Sequence, residues 1–312
     1  MRMTDLGSRL AFWALTLVGT LVPITATAQD LYGVGFLGGH VEVFKVNSSS
    51  GAMTPFIATS ATSLAGGIST FDSLGKRLFF MSDPDLYVVN VVTGAVSHVS
   101  LGGSFPLLQF DSTTNTLYAI GFLAGQVEVF AVDPATGVKS PMFATGATTF
   151  LGGISTFDPI GKRLFFMSDP DLYVVNVSNG AVSHVSLGGS FPLLQFDLQL
   201  RRLYGVGFSA GQVEVFSIDP STGAMTPLVA TGATTLAGGI VTFDPLTERL
   251  FFMSDPDLYV VNLATAFVSH VSLGGAFPLL QFDAPAVPLD LFSSTVAMAL
   301  LCILALIGLR AR

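Results

Sequence analysis

The dodecamer FFMSDPDLYVVN stands at 79–90, at 165–176 and at 251–262 without a single change, and no other feature constrains the fold as tightly. LYGVGF at 31, LYAIGF at 117 and LYGVGF at 203 keep the same 86-residue spacing. Each long unit divides again. The pair Phe-Asp recurs at Phe71, Phe110, Phe157, Phe196, Phe243 and Phe282, alternately 39 and 47 residues apart. Such a chain consists of six related units of about 43 residues, which bury their apolar faces against one another.

Within a unit the pattern predicts four short strands: GGISTFD (66–72), KRLFFMSD (76–83), DLYVVNV (85–91) and GAVSHVSL (94–101). Turn residues separate them, as in DSLGK, DPIGK and DPLTE after the first strand and VTG, SNG or DPATG before the fourth. The strands are rich in Val, Phe, Tyr and Leu. RLFFM and LYVVNV lack alternation and read as apolar on both faces, as in a sheet covered on both sides. Outside the two ends no 3.6-residue period persists. The expected fold is all-β: a six-bladed β-propeller of four-stranded antiparallel blades.

The first unit opens directly on a second-type strand, LYGVGF, while a spare first-type strand, FPLLQFD (277–283), closes the last. Pairing the two would close the ring through a blade built from both chain ends and remove its exposed edges. The units resemble the YVTN and NHL-like propeller repeats of exported bacterial proteins, in KRLFFMSDPDLYVVNVVTGAVSHVSL above all. That resemblance covers 30–283 and implies architecture, since such repeats serve many activities.

The ends carry addresses. Arg2 and Arg9, the apolar stretch LAFWALTLVGTLVPI and the small-x-small ATA ending at Ala28 predict a signal peptide over 1–28 and export of the remainder. The propeller is then expected over 29–283, a proline-containing linker over 284–290, and an apolar helix with a basic end over 291–312. As a helix, LFSSTVAMALLCILALIGL would be about 28 Å long, near the roughly 30 Å of a bilayer's hydrocarbon core. RAR follows it and would stay on the cytoplasmic side. Motif, apolar segment and basic end together resemble the PEP-CTERM and IPTL-CTERM sorting tails of Gram-negative bacteria. The resemblance implies a periplasmic or cell-surface address, either membrane-anchored or processed by a sorting peptidase; an ordinary tail anchor also fits. Cys302 is the sole cysteine, so no intrachain disulfide can form. Between 29 and 290 nine Lys and Arg stand against twenty Asp and Glu, which argues against nucleic acid as a partner.

Alternating strand directions place SDPD on the same face as the Gly-Gly loops between blades, opposite a face of tight turns. The candidate binding residues are Asp83, Asp85, Asp169, Asp171, Asp255 and Asp257. Two readings fit them: a tight turn preset by proline, or weak calcium binding. No other cofactor is expected. Thr70, Gln109, Thr156, Gln195, Thr242 and Gln281 are expected to line the channel, where they would hold a small polar ligand or order water. His98, His184 and His270 are copies of one outer-strand position and should not converge on a metal.

Catalysis needs unlike groups meeting at one place, whereas near-identical units supply three copies of each environment. The reading is therefore an exported or cell-surface, non-enzymatic propeller that acts as a binding or interaction scaffold for an unidentified ligand, with a surface polysaccharide or protein as candidate partners. The alternative is a lactonase-like propeller, a hydrolase or lyase with a metal in the channel.

Overall fold

The computed structural model describes residues 30–283 apart from 65–68, 83, 103–106, 150–154, 169, 189–192, 237–240, 255 and 275–278. Signal peptide, linker and C-terminal helix lie outside the described residues, as do Asp83, Asp169 and Asp255. Every regular element among the described residues is a strand.

The strands form six four-stranded antiparallel sheets, the blades of a propeller. Numbered around the ring and written from the channel outward, blade 1 is Leu279–Phe282, Leu31–Leu37, His40–Val46 and Met53–Ala58. Blade 2 is Ser69–Asp72, Arg77–Ser82, Asp85–Asn90 and Val96–Ser100. Blade 3 (Leu107 to Ala144) and blade 5 (Leu193 to Ala230) repeat blade 1, while blade 4 (Ser155 to Ser186) and blade 6 (Val241 to Ser272) repeat blade 2. Each innermost strand touches the innermost strands on both sides, so the ring is closed.

Blade 1 closes as its sequence requires. Leu31 pairs with Phe282, Tyr32 with Gln281, Gly33 with Leu280 and Val34 with Leu279. The Asp283 N–H donates to the Asp30 carbonyl at 3.0 Å. Both ends of the described chain therefore leave from the tight-turn face.

Packing follows the alternation of side chains along a strand. In blade 2, Phe79 belongs to a core shared with blade 3, while its neighbour Phe80 belongs to a core shared with blade 1. Blades 4 and 6 divide their consecutive phenylalanines in the same way. All six rings are fully buried. This is why RLFFM reads as apolar on both faces: even-numbered blades are wedges between two cores, and each core is centred on an odd-numbered blade. Odd blades hold a small residue where even blades hold the second phenylalanine. By register, Gly33, Ala119 and Gly205 occupy in odd blades the position that Phe80, Phe166 and Phe252 occupy in even ones. Bulky and slender blades alternate, which makes the true repeat two blades long.

Candidate functional site

Strand direction assigns the two faces. The hairpins between second and third strands share a face with the connections between blades, and the turns after the innermost strands occupy the other. On the first face, the turn in SDPD is braced from within. The amides of Leu101, Leu187 and Leu273 donate to the carbonyls of Pro84, Pro170 and Pro256 at 3.0, 3.0 and 3.1 Å. Ser82, Ser168 and Ser254 are buried and hydrogen-bond to Ser63, Thr149 and Thr235 at 3.1, 2.9 and 2.8 Å, tying the turn to the loop from the preceding blade.

Asp85, Asp171 and Asp257 do not point into an open cluster. Each places Oδ2 beside Nδ1 of the outer-strand histidine, at 3.2 Å for His98, 3.1 Å for His184 and 3.2 Å for His270. Those imidazoles stack on Tyr87, Tyr173 and Tyr259 with centroids 5.0, 5.0 and 5.1 Å apart. Behind them lie Phe80, Phe166 and Phe252, each 5.2 Å from its tyrosine. Burial, then the adjoining carboxylates of Asp171 and Asp257, push the Tyr173 and Tyr259 hydroxyls up. The arrangement fixes the imidazole ring by a carboxylate and a π-face. Asp83, Asp169 and Asp255, the first acids of each SDPD, lie outside the described residues. Among the described residues no three of His, Cys, Asp and Glu gather to hold a metal ion.

The channel residues divide by blade type. Thr70, Thr156 and Thr242 are buried, and their hydroxyls accept the amides of Phe110, Phe196 and Phe282 from the following odd blade at 3.2, 2.9 and 3.0 Å. They stitch the ring. Gln109 and Gln281 reach forward and donate Nε2 to the carbonyls of Ser155 and Ser69 at 2.7 and 2.9 Å. Gln195 instead turns back to its own strand, donating to the Phe196 carbonyl at 3.3 Å. Its forward neighbour is Val241, where the other even blades have serine.

The hairpins of the odd blades carry something that strand counting missed. Phe36, Phe122 and Phe208, three copies of one position, are about half exposed, at 52, 52 and 51 %. Leu37 and Leu123 beside them are also exposed. The signal was present in GFLGG, GFLAG and GFSAG, where a phenylalanine, followed by leucine in the first two, runs directly into a turn. Two shallow grooves, of about 330 and 310 Å³, open on the outer rim. One lies between blades 6 and 1, lined by Arg249, Asn262, His270 and Ser49; the other between blades 2 and 3, lined by Arg77, Asn90, Ser97 and Pro134.

On the tight-turn face, five of the six Phe-Asp aspartates cap their own turns. Asp72 Oδ1 accepts the amides of Leu74 and Gly75 at 3.1 and 2.9 Å, and Asp111, Asp158, Asp197 and Asp244 act alike. In even blades the second oxygen meets an arginine of the same blade: Arg77, Arg163 and Arg249 stand 2.7, 2.7 and 3.1 Å away.

No family model matches the chain, and no curated protein matches it. Solved structures do. TolB from Acinetobacter baumannii superposes with a TM-score of 0.62 at 15% identity, over 89% of this chain and 71% of that one. A structure from a nidogen/laminin complex gives 0.64 at 14% identity over 83% and 99%. A "putative 6-phosphogluconolactonase" from Bacteroides fragilis gives 0.54 at 11% identity over 83% and 99%. At such identities the likeness establishes the propeller fold and stops there.

Proposed function

We propose that this chain is an exported, non-enzymatic binding propeller whose loop-rich face meets a surface protein or polysaccharide. Both described chain ends leave from the opposite face. A C-terminal membrane helix or sorting tail would therefore hold the loop-rich face outward. The observation that carries the reading is the set of half-exposed rings at Phe36, Phe122 and Phe208. Large apolar side chains repeated at hairpin tips serve contact rather than folding. Three equal Asp–His–Tyr groups around the outer rim supply equal polar contacts, an arrangement suited to multivalent attachment. A metal-dependent hydrolase would need unlike ligands converging on the channel. Here the described threonines and glutamines of that ring spend hydrogen bonds on backbone groups.

The test replaces Phe36, Phe122 and Phe208 by serine together in the full-length chain and crosslinks intact cells. The wild-type chain should give a discrete crosslinked species, lost in the variant while its melting temperature is unchanged. The same species in both, or turnover of sugar lactones by the purified chain, would reject the reading.

A further inference from the structure

The three seams between an odd blade and the even blade after it should be equivalent on the tight-turn face, and two of them are. Between blades 3 and 4, Lys162 extends from the turn of blade 4 and sets Nζ 2.6 Å from Oδ2 of Asp111. Between blades 1 and 2, Lys76 reaches Asp283 at 2.8 and 2.7 Å. Each ammonium enters from a residue in left-handed conformation, φ 53° at Lys162 and 52° at Lys76. The third seam, between blades 5 and 6, has Glu248 at that position with the same φ of 52°. Where the other two units read DSLGK and DPIGK, this one reads DPLTE.

The acid awaiting that lysine is still in place. Asp197 is 1% exposed, and its Oδ1 accepts the amides of Gln199 and Leu200 at 2.8 and 3.2 Å as a turn cap should. Its Oδ2, the atom that in Asp111 receives the lysine, is buried with no hydrogen-bond partner. Burial raises the proton affinity of this carboxyl, and Glu248 raises it further. Arg202, opposite Asp197 in the strand register, is the nearby cation that opposes this. It stands near the Tyr204 hydroxyl and makes no ion pair with Asp197. A buried carboxylate oxygen without a partner is costly to keep charged.

We propose that the seam between blades 5 and 6 is a binding site for a hard divalent cation, calcium or magnesium, held between the carboxylates of Asp197 and Glu248 where the equivalent seams hold a lysine ammonium. Hard carboxylate oxygens select such ions over softer metals. Two protein carboxylates leave most of the coordination shell to water, so the ion is exchangeable and binds weakly. It lies on the face opposite the proposed binding surface and does not rest on that reading.

The experiment is a thermal melt of the chelator-treated full-length chain, titrated with calcium chloride and then magnesium chloride, for wild type, Glu248→Lys and Glu248→Gln. At ten times its dissociation constant the ion should raise the wild-type melting temperature by roughly 3–6 °C. Glu248→Lys should melt above the cation-free wild type and no longer respond. Glu248→Gln should respond only at concentrations at least tenfold higher; if the lysine variant does not fold, this arm decides alone. No wild-type response up to about 10 mM of either ion, ten times the weakest constants of extracellular calcium modules, overturns the proposal. So does an undiminished response in Glu248→Lys and Glu248→Gln, which would place the ion elsewhere, as at the SDPD turns. Stabilisation by acid alone, with no cation effect, would mean that a shared proton fills the seam, and overturns it equally.

Discussion

Odd and even blades have the same four strands and the same caps, yet they solve the packing problem in opposite ways. Even blades put large rings on both sides of their second strand, with Phe79 and Phe80 fully buried in different cores. Odd blades keep that strand slender, with buried Gly33, Val34 and Gly35 in blade 1. Volume absent from one type is supplied by the other, so neither could tile a ring with copies of itself. The same division runs through the polar contacts. Even blades offer threonine hydroxyls and odd blades offer the amides that they accept. Even-blade aspartates find their arginine within the blade, whereas Asp111 and Asp283 borrow a lysine from the next one.

The largest effect that would break this comparison comes from the rings. Phe79→Ala should destabilise by about 3–5 kcal/mol in urea denaturation, because neighbours on either side cannot collapse into the space. Gly205→Ala should change stability by less than about 1 kcal/mol in the same assay, since blade 3 already holds Ala119 there. Equal effects at the two positions would mean that the blades are not complementary in volume.

Next in size is the turn before the outer strand. Gly94 in an even blade and Gly137 in an odd blade share a left-handed backbone, φ 74° and 73°. A Cβ on Gly94 would meet nothing within 4 Å, whereas one on Gly137 would stand 2.6 Å from the backbone oxygen of Ser100 in the preceding blade. Gly94→Ala should therefore cost about 1–2 kcal/mol, the backbone strain alone. Gly137→Ala should cost about 3 kcal/mol or more, because a seam must also shift. Melting temperatures of the two variants decide it, and a smaller loss at Gly137 would mean that the outer seams carry little load.

How much of this was legible beforehand follows from what repetition records. Spacing fixed six units, and the orphan strands at either end fixed the closure, because register and blade order are properties of the backbone pattern. The turn caps at Asp72 and its copies could be expected from Phe-Asp followed by turn residues. Side-chain partners between blades were not legible. Thr70 and Gln109 were expected to face the channel, and nothing in the sequence tells that a threonine hydroxyl takes an amide from the next blade. His98 was expected on the outer strand, away from its copies, while the cross-strand register that sets Asp85 near it emerges only once the strands pair. The exception at Glu248 was written plainly in DPLTE, but its meaning depends on knowing what Lys76 and Lys162 do.

The smallest effect concerns pH, where two odd blades should respond with opposite sign. Burial opposes the charge on Asp111, but hydrogen bonds from Lys162, Thr113 and Thr114 outweigh it and hold its carboxyl below the usual range. A carboxyl lowered by folding stabilises the native state above its unfolded pKa, and that contribution disappears as pH falls through the folded value. Asp197 is the reverse. Burial, joined by Glu248, raises its carboxyl, so its contribution is present in acid and lost as pH rises through the folded value. At neutral pH Asp111→Asn should therefore destabilise the ring and Asp197→Asn should stabilise it, each by about 1 kcal/mol. The Asp197 difference should vanish once pH falls below the unfolded value of about 4, whereas the Asp111 difference should persist there and fade only as pH drops through its lower folded value. Chelated urea melts across pH 3–8 measure this. Parallel profiles for the two variants would show that the seam between blades 5 and 6 is electrostatically no different from the seam between blades 3 and 4, and that replacing lysine by glutamate left the ring's charge balance intact.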